Sequence, residues 1–271
     1  MKRILMILPL FIAVSAYTQI YDFTGETPGN MPANVSLGTN SEPETNDGTI
    51  VVSEYNSNNA MECTSIGSTN VGIFDMDLFT SESDYSITWK ETYTTARRSG
   101  FLLRANGACT NTNYLGMKNG YLFQVNTTAN NLRIYSFNGT AVTQLSSVGL
   151  TAPGVDTPRW YRATVDGTQL TFEYSDDGST WNTHINITNS TFSSGSVQYT
   201  IGYGQGAGGM FIDDITKGSV ISDFTLSPTT LSVSEGSTGT FTIVLDSQPG
   251  SDVVIDVSSD KTSEATVSPG T

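Results

Sequence analysis

Histidine is almost missing from this chain of 271 residues, where His184 stands alone, and cysteine is limited to Cys63 and Cys109. A Ser/His/Asp triad would have to rest on that single imidazole, and a lone histidine on a strand is more often structural than catalytic. A zinc centre would lack its usual nitrogen and sulfur ligands. Two cysteines are too few for a disulfide framework, so they form one bridge or remain as buried thiols. Basic residues are scarce as well: 12 Lys and Arg stand against 26 Asp and Glu, a formal charge of −14. A field of that sign repels phosphate backbones and favours cations such as calcium, so nucleic acid is not an expected partner. No stretch shows the apolar period of an amphipathic helix. The apolar run Ile4–Val14 is about half of the roughly 20 residues a spanning helix needs, and Pro9 interrupts it.

What is present begins with a leader-like pattern. Lys2-Arg3, the apolar run and the small residues Val14, Ser15 and Ala16 read as a secretory signal over residues 1–16, which places the mature chain outside the cell or on its surface. Short β-prone runs then recur between Ser/Asn/Gly clusters, at Thr49–Tyr55, Ala60–Ile66 and Gly72–Leu78. The stretch Tyr85–Thr95 alternates with Glu91 in line with Tyr85, Trp89 and Tyr93. The next run, at 99–106, is expected to pair back onto it through Ala96-Arg97-Arg98. That pairing would bring Arg104 into the same sheet as Glu91, as a structural ion pair or as the polar floor of a groove. An Asn138-Gly139 turn is expected to set Ser136 opposite Ala141.

The best-defined stretch is 158–181. A hairpin turning at Asp166-Gly167 puts Tyr161, Ala163, Val165, Leu170 and Phe172 on a core face. Trp160, Arg162 and Glu173 fall on a polar face. Asp176-Asp177-Gly178 reads as a tight turn. From Gly218 the composition shifts to Ser/Thr/Val repeats, so 17–218 is one domain, 219–222 a linker and 223–271 the first part of another sandwich. The fold class is all-β, with antiparallel sheets in a sandwich or barrel followed by part of a second sandwich; the resemblances below imply that the first is a jelly roll and the second Ig-like.

The pieces YDFTGETPG, GFLLRA, GYLFQVN, RWYRATVDGTQLTFEYSDDGSTW and FIDDI, in that order, resemble the concanavalin A-like jelly rolls of laminin G-like modules, lectins and some glucanases. That resemblance implies that the first and last strands lie side by side, bringing Asp22 near Asp213 and Asp214 as a structural calcium site. It also implies a glycan or polysaccharide partner, for which Trp160, Arg162, Glu173, Glu91, Arg104 and Tyr203 are the expected binding residues. The tail at 229–260 resembles Calx-beta-like and Ig-like modules of bacterial surface proteins, which implies further modules downstream and a role in adhesion. Catalysis finds less support. The glucanase pattern Glu-x-Asp-x-x-Glu meets Glu82-Ser83-Asp84-Tyr85-Ser86-Ile87, where Ile87 stands in place of the second acid. An acid pair split over two strands, such as Glu91 with Glu173, is the remaining hydrolase or lyase reading, and a purely structural module is the third alternative.

Overall fold

The structure is a computed structural model of the chain. It describes residues 3–6, 17–37, 49–65, 71–76, 79–114, 116–202, 208–220, 224–228, 230–234 and 236–245. By its internal contacts the chain divides into two units, Thr18–Gly218 and a second composed of Met1–Tyr17 and Ser219–Thr271. The regular elements among the described residues are strands: β1 (Arg3–Met6), β2 (Tyr17–Tyr21), β3 (Val35–Leu37), β4 (Thr49–Tyr55), β5 (Asn58–Ser65), β6 (Val71–Met76), β7 (Tyr85–Tyr93), β8 (Arg98–Ala108), β9 (Lys118–Asn126), β10 (Asn131–Asn138), β11 (Ala141–Gly149), β12 (Arg159–Asp166), β13 (Gln169–Ser175), β14 (Asn182–Thr188), β15 (Ser196–Gly202), β16 (Met210–Ser219), β17 (Phe224–Ser227), β18 (Leu231–Ser234) and β19 (Thr242–Leu245).

The larger unit is a sandwich of two antiparallel sheets. One is seven-stranded, in the order β11-β10-β9-β8-β15-β6-β3; the other is eight-stranded, in the order β14-β13-β12-β7-β16-β5-β4, with β2 beside β16. The early strand β2 therefore lies against the late strand β16, as expected. The core is aromatic: Trp89 of β7 meets Phe101 of the opposing β8 at 4.8 Å between ring centres, and Phe172 meets Phe123 edge-on at 5.4 Å. Strand β12 alternates between buried and half-buried residues along its whole length, with Tyr161, Ala163 and Val165 inside. A side chain the size of Val165 taken from water contributes on the order of 1.5–3 kcal/mol, and the two-residue period places its neighbour outside without further cost.

Two expectations about turns need correction. Asp166 pairs with Gln169 and Asn138 with Ala141, so the loops are Gly167-Thr168 and Gly139-Thr140, each one residue later than the sequence suggested. In both, glycine takes the first loop position at positive φ, +51° and +61°, and the β-branched threonine that follows does not. That is the pattern of a type II′ turn, which needs glycine first, and not of type I′, which needs two residues at positive φ. Ser136 accordingly faces Thr143. The slip moves each partner by two residues, so every side chain keeps its expected face.

The link from β7 to β8 is not a hairpin. Strand β7 lies between β12 and β16, and β8 between β9 and β15, in different sheets. Both are central strands with both ladder edges occupied, so the Ala96–Arg98 connection crosses from one layer to the other. The crossing is tied down locally: Thr94 and Thr95 donate their backbone N–H groups to the Gly209 carbonyl, and the Arg97 N–H reaches Thr127 Oγ1 at 2.8 Å.

In the smaller unit β1 pairs with β18, and β17, which was not expected, pairs with β19. Part of the stretch read as a leader thus forms a ladder with the tail. The rest of the expected second sandwich, 246–271, lies outside the described residues.

Close approach of β8 to β9 depends on Gly100. A Cβ there would lie 2.0 Å from the Phe123 carbonyl oxygen, in rigid backbone. Gly100→Ala is expected to destabilise the sandwich by about 1–3 kcal/mol, seen as a lower urea midpoint at unchanged slope.

Candidate functional site

The outer face of the eight-stranded sheet carries the polar row of the 158–181 hairpin. Arg162 lies directly opposite Glu173, and its Nε donates to Glu173 Oε2 at 2.6 Å. The same guanidinium sits 4.2 Å from the Trp181 ring centre, so it is held between a carboxylate and an indole. Trp160 lies two residues back along β12 on the same face, half-buried, over Gly178 of the 175–180 turn. That turn is built by Asp177, which accepts the backbone N–H groups of Ser179 and Thr180, and these bonds hold its carboxyl well below the usual range. Across the ladder Trp160 faces Lys90, and beyond it Tyr55 stacks on Phe211 at 4.1 Å. Trp160, Arg162 and Glu173 therefore do come together, with Trp181 as an aromatic neighbour that the sequence did not single out.

The other expected binding residues do not join them. Glu91 points into the core, 2% exposed, where Ser99 Oγ donates to it at 2.7 Å. It lies on the opposite side of its sheet from Glu173, so the two cannot flank one scissile bond. Arg104 sits in the other sheet, 1% exposed, and meets no part of Glu91. Its guanidinium donates to the carbonyls of Ser83, Gly167 and Phe192 at 2.7, 2.8 and 2.7 Å and to Asp84 Oδ1 at 3.1 Å. It is a structural clamp. Tyr203 lies outside the described residues.

The acids expected to hold calcium have other partners. Asp213 and Asp214 both accept from Lys90 Nζ at 2.8 Å, so an ammonium already holds the charge a cation would take. Asp22 is exposed and accepts the Thr24 N–H, and among the described residues no group of three acidic, histidine or cysteine side chains could hold a metal. These residues do not fit calcium. His184 Nε2 lies 2.9 Å from the Gly149 carbonyl and its ring meets Tyr174 edge-on, a structural setting. Both cysteines are free and buried; burial pushes the Cys63 thiol up to about 12.

A second surface appears only in the structure. On the outer face of the seven-stranded sheet, Gln124 of β9 lies opposite Gly100 of β8 and Arg133 of β10. Gln124 is 3% exposed, and its Oε1 has no hydrogen-bond partner, nor has Nε of Arg133. Arg133 Nη1 donates to the Tyr135 hydroxyl at 3.1 Å, which in turn donates to Gln144 Oε1 at 3.1 Å. Tyr114 packs edge-on against Phe137 at 5.0 Å; burial pushes its phenol up, Tyr135 adds to this and Arg98 opposes it. Alternation in GYLFQVN and NLRIYSFN would have put these residues outward, but only the register sets them side by side.

This chain is similar to the carbohydrate binding module CBM66 from Bacillus subtilis, at 14% identity over 70% of this chain and 98% of that one, with a TM-score of 0.50. It is also similar to the VIP36 exoplasmic/lumenal domain. The Ca2+-bound form gives 12% identity over 76% and 90% of the two chains at a TM-score of 0.53, and the Ca2+/Man3GlcNAc-bound form 11% over 70% and 90% at 0.50. No family model and no curated protein matches. Likenesses at these identities establish the fold alone: an antiparallel jelly-roll β-sandwich.

Two stability tests follow from the buried charges. Arg104→Leu is expected to lose about 3–5 kcal/mol in urea denaturation, because Asp84 and three carbonyls lose their donor at once. Glu91 is the opposite case. Burial pushes its carboxyl up to about 7, with the Ser99 hydrogen bond opposing. The unfolded chain releases this proton near the ordinary carboxyl value, and the folded chain holds it until about pH 7. Its stabilising protonated form is thus fully present below the ordinary value and lost as pH rises through 7. Glu91→Gln stays neutral, so between pH 4.5 and 8 the unsubstituted protein is expected to lose on the order of 3 kcal/mol relative to the variant, measured by urea titration at both pH values.

Proposed function

We propose that the Thr18–Gly218 unit is a non-catalytic carbohydrate-binding domain of a secreted or cell-surface protein, and that it binds an uncharged glycan across the outer face of the eight-stranded sheet. The observation that carries this reading is the row in which Arg162 is held between Trp181 and Glu173, next to the half-buried ring of Trp160. Sugars present C–H patches that lie on aromatic rings and hydroxyls that pair with guanidinium and carboxylate groups. A guanidinium already locked by an ion pair and a ring loses little freedom on binding, which favours affinity. Further support comes from the names of the similar structures, a carbohydrate binding module and a lumenal domain with Man3GlcNAc bound. Residues 1–16 act as the export signal in this reading, and the tail at 223–271 opens a Calx-beta-like module that connects to others in an adhesive surface protein.

A glycan array probed with the full chain, with and without EDTA, tests the proposal. Binding to uncharged glycans is expected to be unchanged by EDTA, because Lys90 occupies Asp213 and Asp214, and to fall at least tenfold in Trp160→Ala and Arg162→Ala at unchanged melting temperature. No uncharged glycan bound in either condition would leave the purely structural module as the reading.

A further inference from the structure

The charge of this chain is unevenly placed. Residues 92–155 contain no Asp or Glu and five basic residues, Arg97, Arg98, Arg104, Lys118 and Arg133, which leaves −19 for the rest of the chain, −14 less +5. The fold turns this stretch into neighbours, since β8, β9, β10 and β11 lie side by side at one end of the seven-stranded sheet. Those strands contribute no carboxylate to the face they build. Four of the five cations are engaged elsewhere. Arg104 is sunk in its clamp, Lys118 pairs with Asp75 at 2.7 Å, and Arg97 donates to the Gly208 carbonyl at 3.1 Å.

Arg98, on one strand flanking Gln124, has a partner as well, and Arg133 remains on the outer face, on the other flanking strand. Arg133 makes no ion pair among the described residues, and its Nε and the Gln124 Oε1 are both buried without a partner. Buried polar atoms are nearly always satisfied, so a donor and an acceptor left open on adjacent strands mark a place where a ligand's groups complete the network. Tyr114 and Tyr135, both half-buried, border the same spot. The acidic remainder of the molecule does not cancel this site. At physiological ionic strength exposed charges are screened beyond about 8 Å, whereas contacts at hydrogen-bond distance are not.

We propose that this face is a second binding site, for an anionic saccharide: Arg133 takes its carboxylate or sulfate, the Gln124 carbonyl accepts from a ring hydroxyl, and Tyr114 and Tyr135 border the sugar ring. The sugar part of this proposal rests on the carbohydrate-binding reading above, while the preference for an anion rests on the acid-free strands.

Calorimetric titration of the full chain with trigalacturonate, a heparin-derived tetrasaccharide and xylotetraose tests it. At least one anionic oligosaccharide is expected to bind, and the two arms tell carboxylate from sulfate. Binding is expected to weaken at least tenfold in Arg133→Gln, which keeps a polar side chain at a half-buried position, and in Gln124→Glu, whose added carboxylate repels the ligand. Trp160→Ala is expected to leave it unchanged. Melting curves verify that Arg133→Gln is folded, and less than a tenfold loss in that folded variant overturns the proposal whatever Gln124→Glu does. So does the absence of anionic binding, or its loss in Trp160→Ala. Failure of the uncharged-glycan reading is separate, because it is read on uncharged ligands and on Trp160 and Arg162.

Discussion

The sandwich depends on one buried cation. Arg104 belongs to the seven-stranded sheet, yet its guanidinium gathers the segment entering β7, the β12–β13 turn and the segment before β15, through the carbonyls of Ser83, Gly167 and Phe192 and the carboxylate of Asp84. Its own backbone is bent to positive φ, +52°, and its N–H reaches the buried Tyr85 hydroxyl at 2.6 Å. Asp84 completes the clamp by accepting the Gly167 N–H at 2.7 Å. A guanidinium suits this position because its donors form a planar fork that can serve several carbonyls at once, which a lysine ammonium cannot do in fixed geometry. Burying the charge is tolerable because most of its donors find an acceptor.

With the sheets locked together, the two outer faces acquire different characters. The eight-stranded sheet presents aromatic rings beside paired ions, Arg162 with Glu173 and Lys90 with Asp213 and Asp214. The seven-stranded sheet presents Arg133, with no carboxylate from its own strand or the strands beside it, next to buried polar atoms without partners. A ligand meets already compensated groups on the first face and uncompensated ones on the second. Chemistry that needs an open charge is favoured on the second, and chemistry that needs shape and ring faces on the first.

Much of the first face was legible along the chain. Alternation over 159–175 separated Tyr161, Ala163 and Val165 from Trp160, Arg162 and Glu173, and this survived a one-residue error in the turn because a two-residue slip conserves faces. The roles of Glu91 and Arg104 were not legible. Their shared sheet was inferred from a turn-like Ala96-Arg97-Arg98, and a local turn signal does not say whether the chain returns to its own layer or crosses to the other. The Asp213-Asp214 pair read as a cation site because acid residues attract cations in general; that the cation is Lys90, 123 residues away from Asp213 along the chain, is a long-range fact.

The sequence by itself determined the all-β class, the strand runs of the larger unit and the inward or outward face of their side chains, because each depends on a period of two residues and on glycine at turns, both local properties. Tertiary structure alone decided which strands are neighbours, hence that Gln124 and Arg133 stand together while Glu91 and Glu173 stand on opposite sides of one sheet. Those outcomes depend on how both ladder edges of β7 and β8 are filled by strands distant in the chain, which no local pattern encodes.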